Sequence, residues 1–442
     1  MSANPSRIAV IGGGIAGLSA ALDLARSDRF RITLIEKGSE IGGLCAPFRW
    51  NGLAMDRFYH ILFPADTATA GFIKDIGLES RLSWTAGQSG FYGQDRLVPF
   101  SSSKDFLRFP FLSFGAKVRL SLGIVRTTFF RPPGDLRDRT ATEWMTSVFG
   151  RRVMDRFWRP LLRSKLGDAL ERTSAHFPWA LVRRYYHGRR GAGRSESMGA
   201  VPGGYAPILE AARVELLRRG VEIRTNTEVS SVSVECGRPA VGIAGEKLNF
   251  DSVLLTIPNP EAIRLLSPPE GPFRRGLETS LYLGVIVVLL VIKRSLSPYY
   301  VINLLDEGLP FTGVVESTNV LSPRDFGGYR LVYLPRYLPF DDPNFARTDA
   351  SILQEFRDGL SRMFPDFRSE DVIHQEVFRA PYVQALPRPG APPRPDSPLT
   401  PWPNIYHANG SYVEDSTLNN DAVIRMTARV VKKILRDQDS EV

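Results

Sequence analysis

The sequence predicts an α/β fold in which a Rossmann-like domain carries an inserted mixed-sheet domain and a helical insert. Three observations lead to this prediction. A strand–turn–helix–strand pattern with a glycine-rich turn opens the chain. Apolar runs rich in β-branched residues recur between residues 280 and 380, and apolar residues at helical spacing dominate residues 104–187. The chain has 442 residues, enough for two or three domains.

The glycine-rich turn has the spacing Gly12-x-Gly14-x-x-Gly17 and follows five mostly apolar residues. Gly12 allows a tight turn, Gly14 lets the backbone approach a pyrophosphate, and Gly17 lets the next helix pack close to the strand. The pyrophosphate would then lie on N–H groups at the positive end of that helix. The alternative is an accidental glycine loop, which the flanking strand and helix patterns disfavour.

An acidic residue ends the second apolar run and indicates which nucleotide is bound. Glu36 lies 24 residues after Gly12, close to the roughly 20 expected for an acid that accepts hydrogen bonds from a ribose. Its carboxylate favours a free 2′-hydroxyl over a 2′-phosphate, and Lys37 weakens this preference without reversing it. Gly42-Gly43 offers a second close backbone approach, which a flavin dinucleotide needs beside its phosphate and ribityl chain. A plain turn is the alternative.

These motifs resemble the amino-terminal signature of the flavin amine oxidase and protoporphyrinogen oxidase superfamily, which includes phytoene desaturases and UDP-galactopyranose mutases. The specific motifs cover the two ends of the chain, from Gly12 to Leu44 and over 405–431, where a strand, a glycine turn and a helix follow one another. The resemblance implies a GR2-type flavoprotein with non-covalent FAD. Two departures affect the phosphate contacts: Leu44 replaces a frequent arginine, and Ala408-Asn409-Gly410 replaces Ala-Gly-Asp.

The motifs and the resemblance together define a set of cofactor-binding residues. Val229 matches a valine whose backbone touches the adenine in the superfamily, and the turn after 405–407 matches one that reaches the flavin end. The predicted cofactor-binding residues are Gly12, Gly14, Ile15, Ala16, Gly17, Glu36, Lys37, Gly42, Gly43, Leu44, Val229, Asn409, Gly410, Leu418 and Asn419.

The order of the predicted elements divides the chain into interleaved domains. We assign 1–62, 200–279 and 396–442 to the FAD-binding domain, 63–103 and 280–395 to the substrate domain, and 104–199 to the helical insert. The predicted helices are 66–79, with Asp66 as its N-cap, 206–219, 349–364 and 417–431. The predicted strands are 221–229, 252–258, 281–292, 299–305, 311–317, 330–334 and 372–380. The pattern also predicts a hairpin at 91–99, a capping box from Thr140 to Glu143, and a proline-rich connector over 385–403.

Composition and charge limit the class of protein. Charged residues make up 23% of the chain and hydrophobic residues 43%, which is typical of a folded domain. Two cysteines, Cys45 and Cys236, provide no disulfide framework, and no secretory signal is recognisable, so we expect a cytoplasmic protein. The net charge of +9 fits an anionic membrane face or an anionic substrate. We find no nucleic-acid motif and no metal-ligand cluster, and the oligomeric state stays open.

The first candidate catalytic segment contains Tyr59 and His60. His60 can shuttle a proton or shape the site near the flavin. The segment also resembles the mutase pattern, in which a histidine in a similar setting lies over the flavin. The alternative is a hydrogen-bonded core histidine.

The second candidate catalytic segment contains Arg379 and Tyr382 at the end of a substrate-domain strand. An arginine here can bind a carboxylate or phosphate with two hydrogen bonds. The alternative is a surface salt bridge. Arg336 and Tyr337 follow another strand and form a weaker version of the same pattern.

Residues 104–131 combine basic and large apolar side chains, with Asp105 as the one acid. This composition is typical of a surface that enters an anionic membrane interface. The alternative is an ordinary amphipathic helix pair packed on the substrate domain. The basic residues are Lys104, Arg108, Lys117, Arg119, Arg126 and Arg131.

Two interpretations of the function follow. In the first, an FAD-dependent oxidoreductase oxidises a largely apolar small molecule by hydride transfer to flavin N5, with oxygen or a quinone as acceptor, because one dinucleotide fingerprint is visible. In the second, a non-redox flavin-dependent isomerase resembles UDP-galactopyranose mutase, with arginines and tyrosines binding the diphosphate. A flavin-binding scaffold is a third, weaker alternative.

Overall fold

Two large sheets organise the part of the chain that the computed structural model describes, residues 5–130, 136–188, 196–390, 400–413 and 419–440. The strands, in chain order, are Ser6–Ile11 (β1), Phe30–Ile35 (β2), Pro47–Trp50 (β3), Leu53–Asp56 (β4), Ser83–Gly87 (β5), Ser89–Gly93 (β6), Arg96–Pro99 (β7), Glu196–Ala200 (β8), Glu222–Arg224 (β9), Val229–Glu235 (β10), Arg238–Ile243 (β11), Glu246–Asn249 (β12), Ser252–Leu255 (β13), Leu281–Ile292 (β14), Val301–Leu304 (β15), Gly313–Glu316 (β16), Arg330–Pro339 (β17), Val372–Leu386 (β18) and Ile405–His407 (β19).

The helices surround these sheets, and a π-helical turn, Met154–Trp158, joins α6 to α7. In chain order they are Ile15–Leu24 (α1), Thr67–Asp75 (α2), Ser103–Arg108 (α3), Phe114–Phe129 (α4), Ala141–Phe149 (α5), Arg151–Val153 (α6), Arg159–Leu166 (α7), His176–Gly188 (α8), Tyr205–Arg218 (α9), Asn259–Leu266 (α10), Pro272–Glu278 (α11), Asp349–Met363 (α12) and Asn420–Ser440 (α13).

The first sheet is parallel and has the strand order β19-β13-β1-β2-β9. Successive side chains of β1 point to opposite faces. Ile8 and Val10 pack in one core with residues of α1, α9 and α13, whereas Ala9 and Ile11 pack in another with residues of β10, β11 and α10. Both faces are therefore covered, which explains why the strand is apolar throughout. The predicted Rossmann-like architecture is confirmed.

The predicted strand over 221–229 is wrong as a single element. β9 ends at Arg224, and Asn226 adopts a left-handed φ of 50°. The N–H of Asn226 donates to the Gly38 carbonyl at 2.8 Å, which turns the chain out of the parallel sheet. The next strand, β10, belongs instead to the antiparallel sheet β10-β11-β12. The apolar alternation continues through position 226, so the sequence pattern does not reveal the break. Asparagine can turn the chain there because it tolerates the left-handed conformation.

The second large sheet is mixed and has the order β18-β14-β17-β16-β15-β6-β7. β14 lies inside it, and all 12 of its residues are buried, so the predicted buried strand over 281–292 is confirmed. β17 and β18 extend beyond their predicted ends at 334 and 380, because each continues to pair with β14 past its most apolar residues. Backbone pairing therefore sets these strand ends.

Several other predicted elements are confirmed. The hairpin at 91–99 joins β6 to β7, with left-handed φ angles of 52° at Gln94 and 54° at Asp95. The capping box starts α5: the Thr140 hydroxyl accepts from the Glu143 N–H at 3.2 Å, and the Glu143 carboxylate accepts from the Thr140 N–H at 3.1 Å. α9 and α12 lie within one residue of their predicted bounds.

α2 begins directly after Asp66, which occupies the predicted N-cap position, but the source of its cap differs from the prediction. α2 is shorter than the predicted 66–79, and the Asp66 side chain does not cap it. The Asp421 carboxylate, at the start of α13, instead accepts from the Ala68 N–H at 2.6 Å. α13 itself runs past its predicted end at 431. The cap of α2 comes from the far end of the chain, so the local sequence could not reveal it.

The helical region contains α3 to α8 around an aromatic-rich core, which also includes Phe91 of β6 and Leu281 and Leu283 of β14. At its end, inside the predicted insert 104–199, β8 pairs with β5. The assigned domain boundaries stay a prediction. Residues 391–399 of the proline-rich connector, Leu418 and Arg131 lie outside the described residues. Among the helices that the structure describes, none is both long and apolar enough to cross a membrane.

Candidate cofactor and substrate site

The turn after β1 has a conformation that requires glycine at two positions. Gly12 has a φ of +105°, which residues with a Cβ rarely adopt. A Cβ at Gly17 would lie 1.9 Å from the Gly12 carbonyl oxygen. Only glycine at position 17 therefore lets α1 pack this close to the turn, as the sequence predicted.

Gly14 differs from these two glycines. Its φ of −72° and ψ of 179° are open to any residue, and a Cβ there would meet only the Gly43 Cα, at 3.9 Å. The protein's own packing does not require glycine at position 14, and the space beside it is open. Within the described ranges, no side chain caps the start of α1. Its first N–H groups, at Ile15 and Ala16, are thus positioned for an anion, which fits a pyrophosphate.

The second glycine pair lies against the first turn. The Gly42 N–H donates to the Gly13 carbonyl at 2.7 Å, and a Cβ at Gly43 would lie 3.0 Å from the Gly14 Cα. Gly42 has a φ of +126°, and a Cβ there would lie 2.6 Å from Leu209. The two turns form one backbone cradle, the arrangement that a long dinucleotide such as FAD requires.

Glu36 contributes to the shape of this cradle. One carboxylate oxygen accepts from the Gly13 N–H and the other from the Gly38 N–H, both at 2.7 Å. A carboxylate accepts about four hydrogen bonds, so capacity remains for ribose hydroxyls. Lys37 is exposed and Leu44 is half-buried. The cofactor contacts of all three residues stay predictions.

The carboxy-terminal turn lies at the same edge of the parallel sheet as the first glycine turn, because β19, β13 and β1 run in one direction. The Asn409 amide donates to the Ile257 carbonyl at 2.6 Å and to Asn259 at 2.9 Å, and its oxygen accepts from the Ser411 N–H at 2.8 Å. The Asn409 side chain therefore shapes the turn. This leaves the backbone of Asn409 and Gly410 for the predicted cofactor contact.

The remaining predicted cofactor residues lie in different places. Asn419 accepts from the Ala422 N–H at 2.8 Å, just before the cavity-lining start of α13. Val229 is buried at the start of β10. Their cofactor contacts stay predictions, as does that of Leu418.

A cavity of about 1160 Å³ lies beside the seven-stranded sheet. It exceeds the roughly 300–1,000 Å³ usual for small-molecule sites. Its walls come from β6, β15, β16 and β17, from helices α2, α3, α4, α7 and α8, and from the start of α13. Large apolar side chains dominate, among them Ile61, Leu62, Phe63, Phe91, Phe100, Phe106, Leu120, Ile124, Phe157, Trp158, Leu161, Leu162, Leu181, Met198, Ile302 and Val315.

Two tyrosines form a polar contact in this apolar wall. The hydroxyl oxygens of Tyr59 and Tyr337 are 3.0 Å apart, and both residues line the cavity. The neighbouring Arg336 does not line it and instead pairs with Glu355 at 3.4 Å. Adjacent residues on a strand point to opposite faces. Of Arg336 and Tyr337, only Tyr337 therefore reaches the cavity.

His60 lines the cavity and belongs to a partly buried polar cluster. Its Nε2 lies 3.6 Å from the Cys45 Sγ, and its ring lies 4.9 Å from the Tyr205 ring. The Asn420 amide donates to the Tyr205 hydroxyl at 2.7 Å and to the Cys45 sulfur at 3.4 Å. Burial lowers the pKa of His60 to about 4 and raises the pKa of the Cys45 thiol to about 12. At neutral pH both groups are uncharged, so His60 is not a cationic acid and Cys45 is not a thiolate nucleophile.

Asp56 contacts this cluster through Tyr205. Its carboxylate accepts from the Tyr205 N–H at 3.0 Å, and its backbone carbonyl accepts from the Tyr333 hydroxyl at 2.8 Å. A Cβ at Gly204 would lie 2.9 Å from this carboxylate. Burial raises the pKa of Asp56 to about 7.

The structure does not bring Arg379 and Tyr382 to the cavity. Arg379 forms an ion pair with Asp349 at 2.6 Å and donates to the Arg347 carbonyl at 2.8 Å. The Tyr382 ring packs edge-on against Tyr282, with 5.5 Å between ring centroids. Their catalytic roles stay predictions, and the observed location of Arg379 matches the salt-bridge alternative.

Sequence reasoning did not single out Tyr205 and Asn420 as site residues. Tyr205 follows the Gly203-Gly204 turn, and Asn420 is the first residue of α13. Polar residues at helix starts were the available signal. Nothing in the sequence indicates that two residues 215 positions apart share a hydrogen bond.

A Rossmann-like sheet, a double glycine cradle and an adjoining apolar cavity define the class of flavin-dependent oxidoreductases. The family model described as "Flavin containing amine oxidoreductase" matches residues 15–418. The chain therefore belongs to the flavin-containing amine oxidoreductase family, which confirms the resemblance seen in the sequence.

Comparison with individual proteins places the chain among diverse relatives. A coproporphyrinogen III oxidase of Staphylococcus aureus is 23% identical over 285 residues, which cover 57% of this chain and 60% of that protein. The match thus spans about three fifths of the relative. A solved structure of a candidate protoporphyrinogen oxidase from Exiguobacterium has a TM-score of 0.76 at 19% identity, covering 98% of this chain and 99% of that one. A reduced UDP-galactopyranose mutase has a TM-score of 0.71 at 16% identity, covering 98% and 94%. Both structures share the fold.

Proposed function

We propose that the protein is an FAD-dependent oxidoreductase that holds FAD without a covalent link and oxidises a largely apolar small molecule. When bound, FAD supplies a hydride acceptor at flavin N5, and oxygen or a quinone then takes up the electron pair. The observation that supports this function best is the large apolar cavity, because Asn419 and Asn420 beyond the carboxy-terminal turn line it, as does His60, which contacts Cys45 beside the second glycine pair.

The connection between cradle and cavity runs through short chain segments. The 3₁₀ turn Gly43–Cys45 begins at the second residue of the Gly42-Gly43 pair, and Cys45 contacts the cavity-lining His60. At the other end of the chain, Asn420 lines the cavity and bonds to Tyr205. A cofactor that extends along the cradle would therefore reach the same cavity as the substrate.

The chain's own residues then bind and orient the substrate, and they exclude water from the cavity. The apolar wall keeps water away and favours an apolar substrate by burial. The Tyr59–Tyr337 hydroxyl pair offers one oriented polar contact. His60, neutral at physiological pH, can shape the site or exchange a single hydrogen bond without carrying charge.

The name of the S. aureus relative makes porphyrinogens the first substrates to test. A porphyrinogen is a large, mostly apolar macrocycle with peripheral carboxylates, and the cavity of about 1160 Å³ is of a matching order of size. Polyprenoids and apolar amines complete the panel. We do not extend the proposal to a sugar isomerase: Tyr59 and His60 line the cavity, but Arg379 and Tyr382, the pair expected to bind the diphosphate, lie outside it.

The visible absorption spectrum of the purified protein, before and after acid precipitation, tests the cofactor. We expect flavin bands that move entirely to the supernatant. Bands that stay with the precipitate would show a covalent link, and a colourless protein that takes up no added FAD would overturn the proposal. Anaerobic mixing with each candidate then tests the substrate: a true substrate bleaches the flavin, whereas stabilisation by UDP alone would indicate the isomerase.

A further inference from the structure

Helix α4 has two opposite faces, and both are apolar. One face packs inward through Ala116, Leu120 and Gly123, and a Cβ at Gly123 would lie only 2.3 Å from the Phe149 ring. The other face is open. It presents Phe114, Val118, Leu122, Val125 and Phe129 with exposed fractions of 77%, 44%, 62%, 44% and 62%. Amphipathic surface helices normally present polar residues there, so this exposed stripe requires a partner.

Neighbouring residues enlarge the stripe into a patch. Leu107 at the end of α3 and Phe130 after α4 are 65% and 64% exposed. The Tyr186 ring of α8 packs edge-on against Phe129, with 5.5 Å between centroids. Eight of the twelve exposed large hydrophobic residues in the described part of the chain belong to this patch. A contiguous patch of this kind marks an interaction surface. We call it the α4 patch: Leu107, Phe114, Val118, Leu122, Val125, Phe129, Phe130 and Tyr186.

Positive charge surrounds the α4 patch. Lys104, Arg108, Arg119 and Arg126 are exposed on α3 and α4, and Lys117 lies between them. Asp105, the one acid in this part of the sequence, accepts from the Ser101 and Ser102 N–H groups and caps α3. The rim is therefore cationic, which complements an anionic lipid surface.

The same charge disfavours a second copy of the chain as the partner. In a two-fold dimer the same patch lies on both subunits. Pairing two α4 patches would place the cationic rims of both copies against each other, and like charges across an interface are destabilising. A bilayer with anionic headgroups complements both features, because its apolar interior contacts the stripe and its headgroups contact the cationic rim.

The cavity comes close to this surface. Leu120, Ser121, Ile124 and Val125 of α4 line it, together with Tyr186. Val125 and Tyr186 also belong to the exposed α4 patch. The cavity therefore reaches the molecular surface where the patch begins.

We propose that the α4 patch docks the protein on an anionic lipid bilayer. The docked orientation places the cavity's α4 side against the membrane, so that an apolar substrate reaches the cavity from the lipid phase. This second statement rests on the proposed function, whereas the docking itself does not.

A flotation assay tests the docking with vesicles of phosphatidylcholine alone and of phosphatidylcholine mixed with phosphatidylglycerol. We expect the purified full chain to float with the anionic vesicles, and to be released as salt is raised. Changing Val118→Ser together with Leu122→Ser should lower the membrane partition coefficient at least about tenfold, because two aliphatic side chains no longer enter the interface.

A matched control is available on α9, where Val214 and Leu217 are 52% and 47% exposed. The double change Val214→Ser with Leu217→Ser replaces the same two residue types, at similar exposure, on a surface outside the α4 patch and should leave flotation unchanged. None of the four residues lines the cavity. The melting temperature of each variant establishes that it is folded.

The outcomes are distinct. Wild-type protein that does not float, or an α4 double variant that floats as well as its α9 control, overturns the docking. Sedimentation showing a wild-type dimer that the α4 change converts to monomer, without flotation, assigns the patch to a second copy. Flavin absorbance in the same fractions reports the proposed function separately, since a protein without flavin can still float.

Discussion

The glycine cradle and the cavity are neighbouring regions built in opposite ways. The cradle is made of backbone atoms from the first 45 residues, and its essential contacts join Gly12 to Gly17 and Gly13 to Gly42. The cavity is made of side chains from segments between Tyr59 and Asp421. The difference shows that a site built on main chain can be recognised from residue spacing, whereas a site built on side chains depends on how distant segments meet.

The two regions should also respond differently to substitution. At Gly17, beside the cradle, an added methyl group meets backbone that cannot move aside. In the cavity and its supporting cluster, a changed side chain alters burial and ionisation, so the effects depend on pH.

Gly17→Ala should have the largest effect. Its Cβ would lie 1.9 Å from the Gly12 carbonyl oxygen, and neither α1 nor β1 can shift without disrupting the parallel sheet. We expect the variant not to reach the native fold, as measured by circular dichroism and by denaturant unfolding.

Gly14→Ala is the matched control in the same turn. Its Cβ would make only an ordinary contact of 3.9 Å with Gly43, so stability should stay within about 0.5 kcal/mol of wild type. FAD affinity, measured by titration of the apoprotein, should fall at least about tenfold because the methyl group occupies the pyrophosphate position. Unchanged affinity would contradict the placement of the cofactor in the cradle.

Asp56→Asn should have the next largest effect on stability, and this effect should appear only as the pH rises above about 4. The pKa of Asp56 is raised to about 7 in the folded state, above the roughly 3.9 of an unfolded chain. Its contribution to stability is therefore fully present below about pH 4 and is lost as pH rises through about 7. Asparagine keeps an acceptor for the Tyr205 N–H and never ionises.

Unfolding free energies across this pH range check the prediction for Asp56. At about pH 8 the free energy of unfolding of the variant should exceed that of wild type by on the order of 4 kcal/mol. This difference should vanish near pH 4. A constant difference at every pH would show that Asp56 does not titrate between the folded and unfolded states.

His60→Gln should show a smaller effect with the opposite pH dependence. The pKa of His60 is lowered to about 4 by burial, so its contribution is present above about pH 6.5 and is lost as pH falls toward 4. The variant should therefore lose less stability than wild type on acidification, by on the order of 3 kcal/mol. The difference between the two proteins is the quantity to measure, because Asp56 opposes His60 within this range.

His407 provides a control for His60. Burial lowers its pKa to about 4 as well, but its ring bonds to the Tyr412 hydroxyl at 3.1 Å and to the Ile257 carbonyl at 2.9 Å. His407→Gln should therefore be destabilising already at neutral pH, by about 1 kcal/mol or more. An equal neutral-pH loss in His60→Gln would place His60 among ordinary core histidines, the alternative that the sequence left open.

Tyr337→Phe should have the smallest effect on stability, about 1 kcal/mol or less. It removes one partner of the 3.0 Å hydroxyl pair with Tyr59. We expect a lower kcat/KM with an unchanged flavin content. A double-mutant cycle with Tyr59→Phe measures the coupling, and strictly additive losses would show that the two hydroxyls do not act as a pair.

Particular elements show where sequence reasoning succeeded and failed. The Thr140 capping box and the hairpin at Gln94 depend on residues within a few positions of one another, and both were predicted correctly. The cap of α2 by Asp421 and the break at Asn226 were missed, because each depends on a partner elsewhere in the fold.

The sequence by itself determined the parallel sheet, the two glycine turns and the family, because these follow from apolar periodicity and from backbone conformations that only glycine adopts. Tertiary structure alone decided which side chains share the cavity. Arg379 and Tyr337 both follow apolar strand residues, yet one pairs with Asp349 and the other meets Tyr59. The strand face and the packing of distant segments set that outcome, and neither is encoded in local spacing.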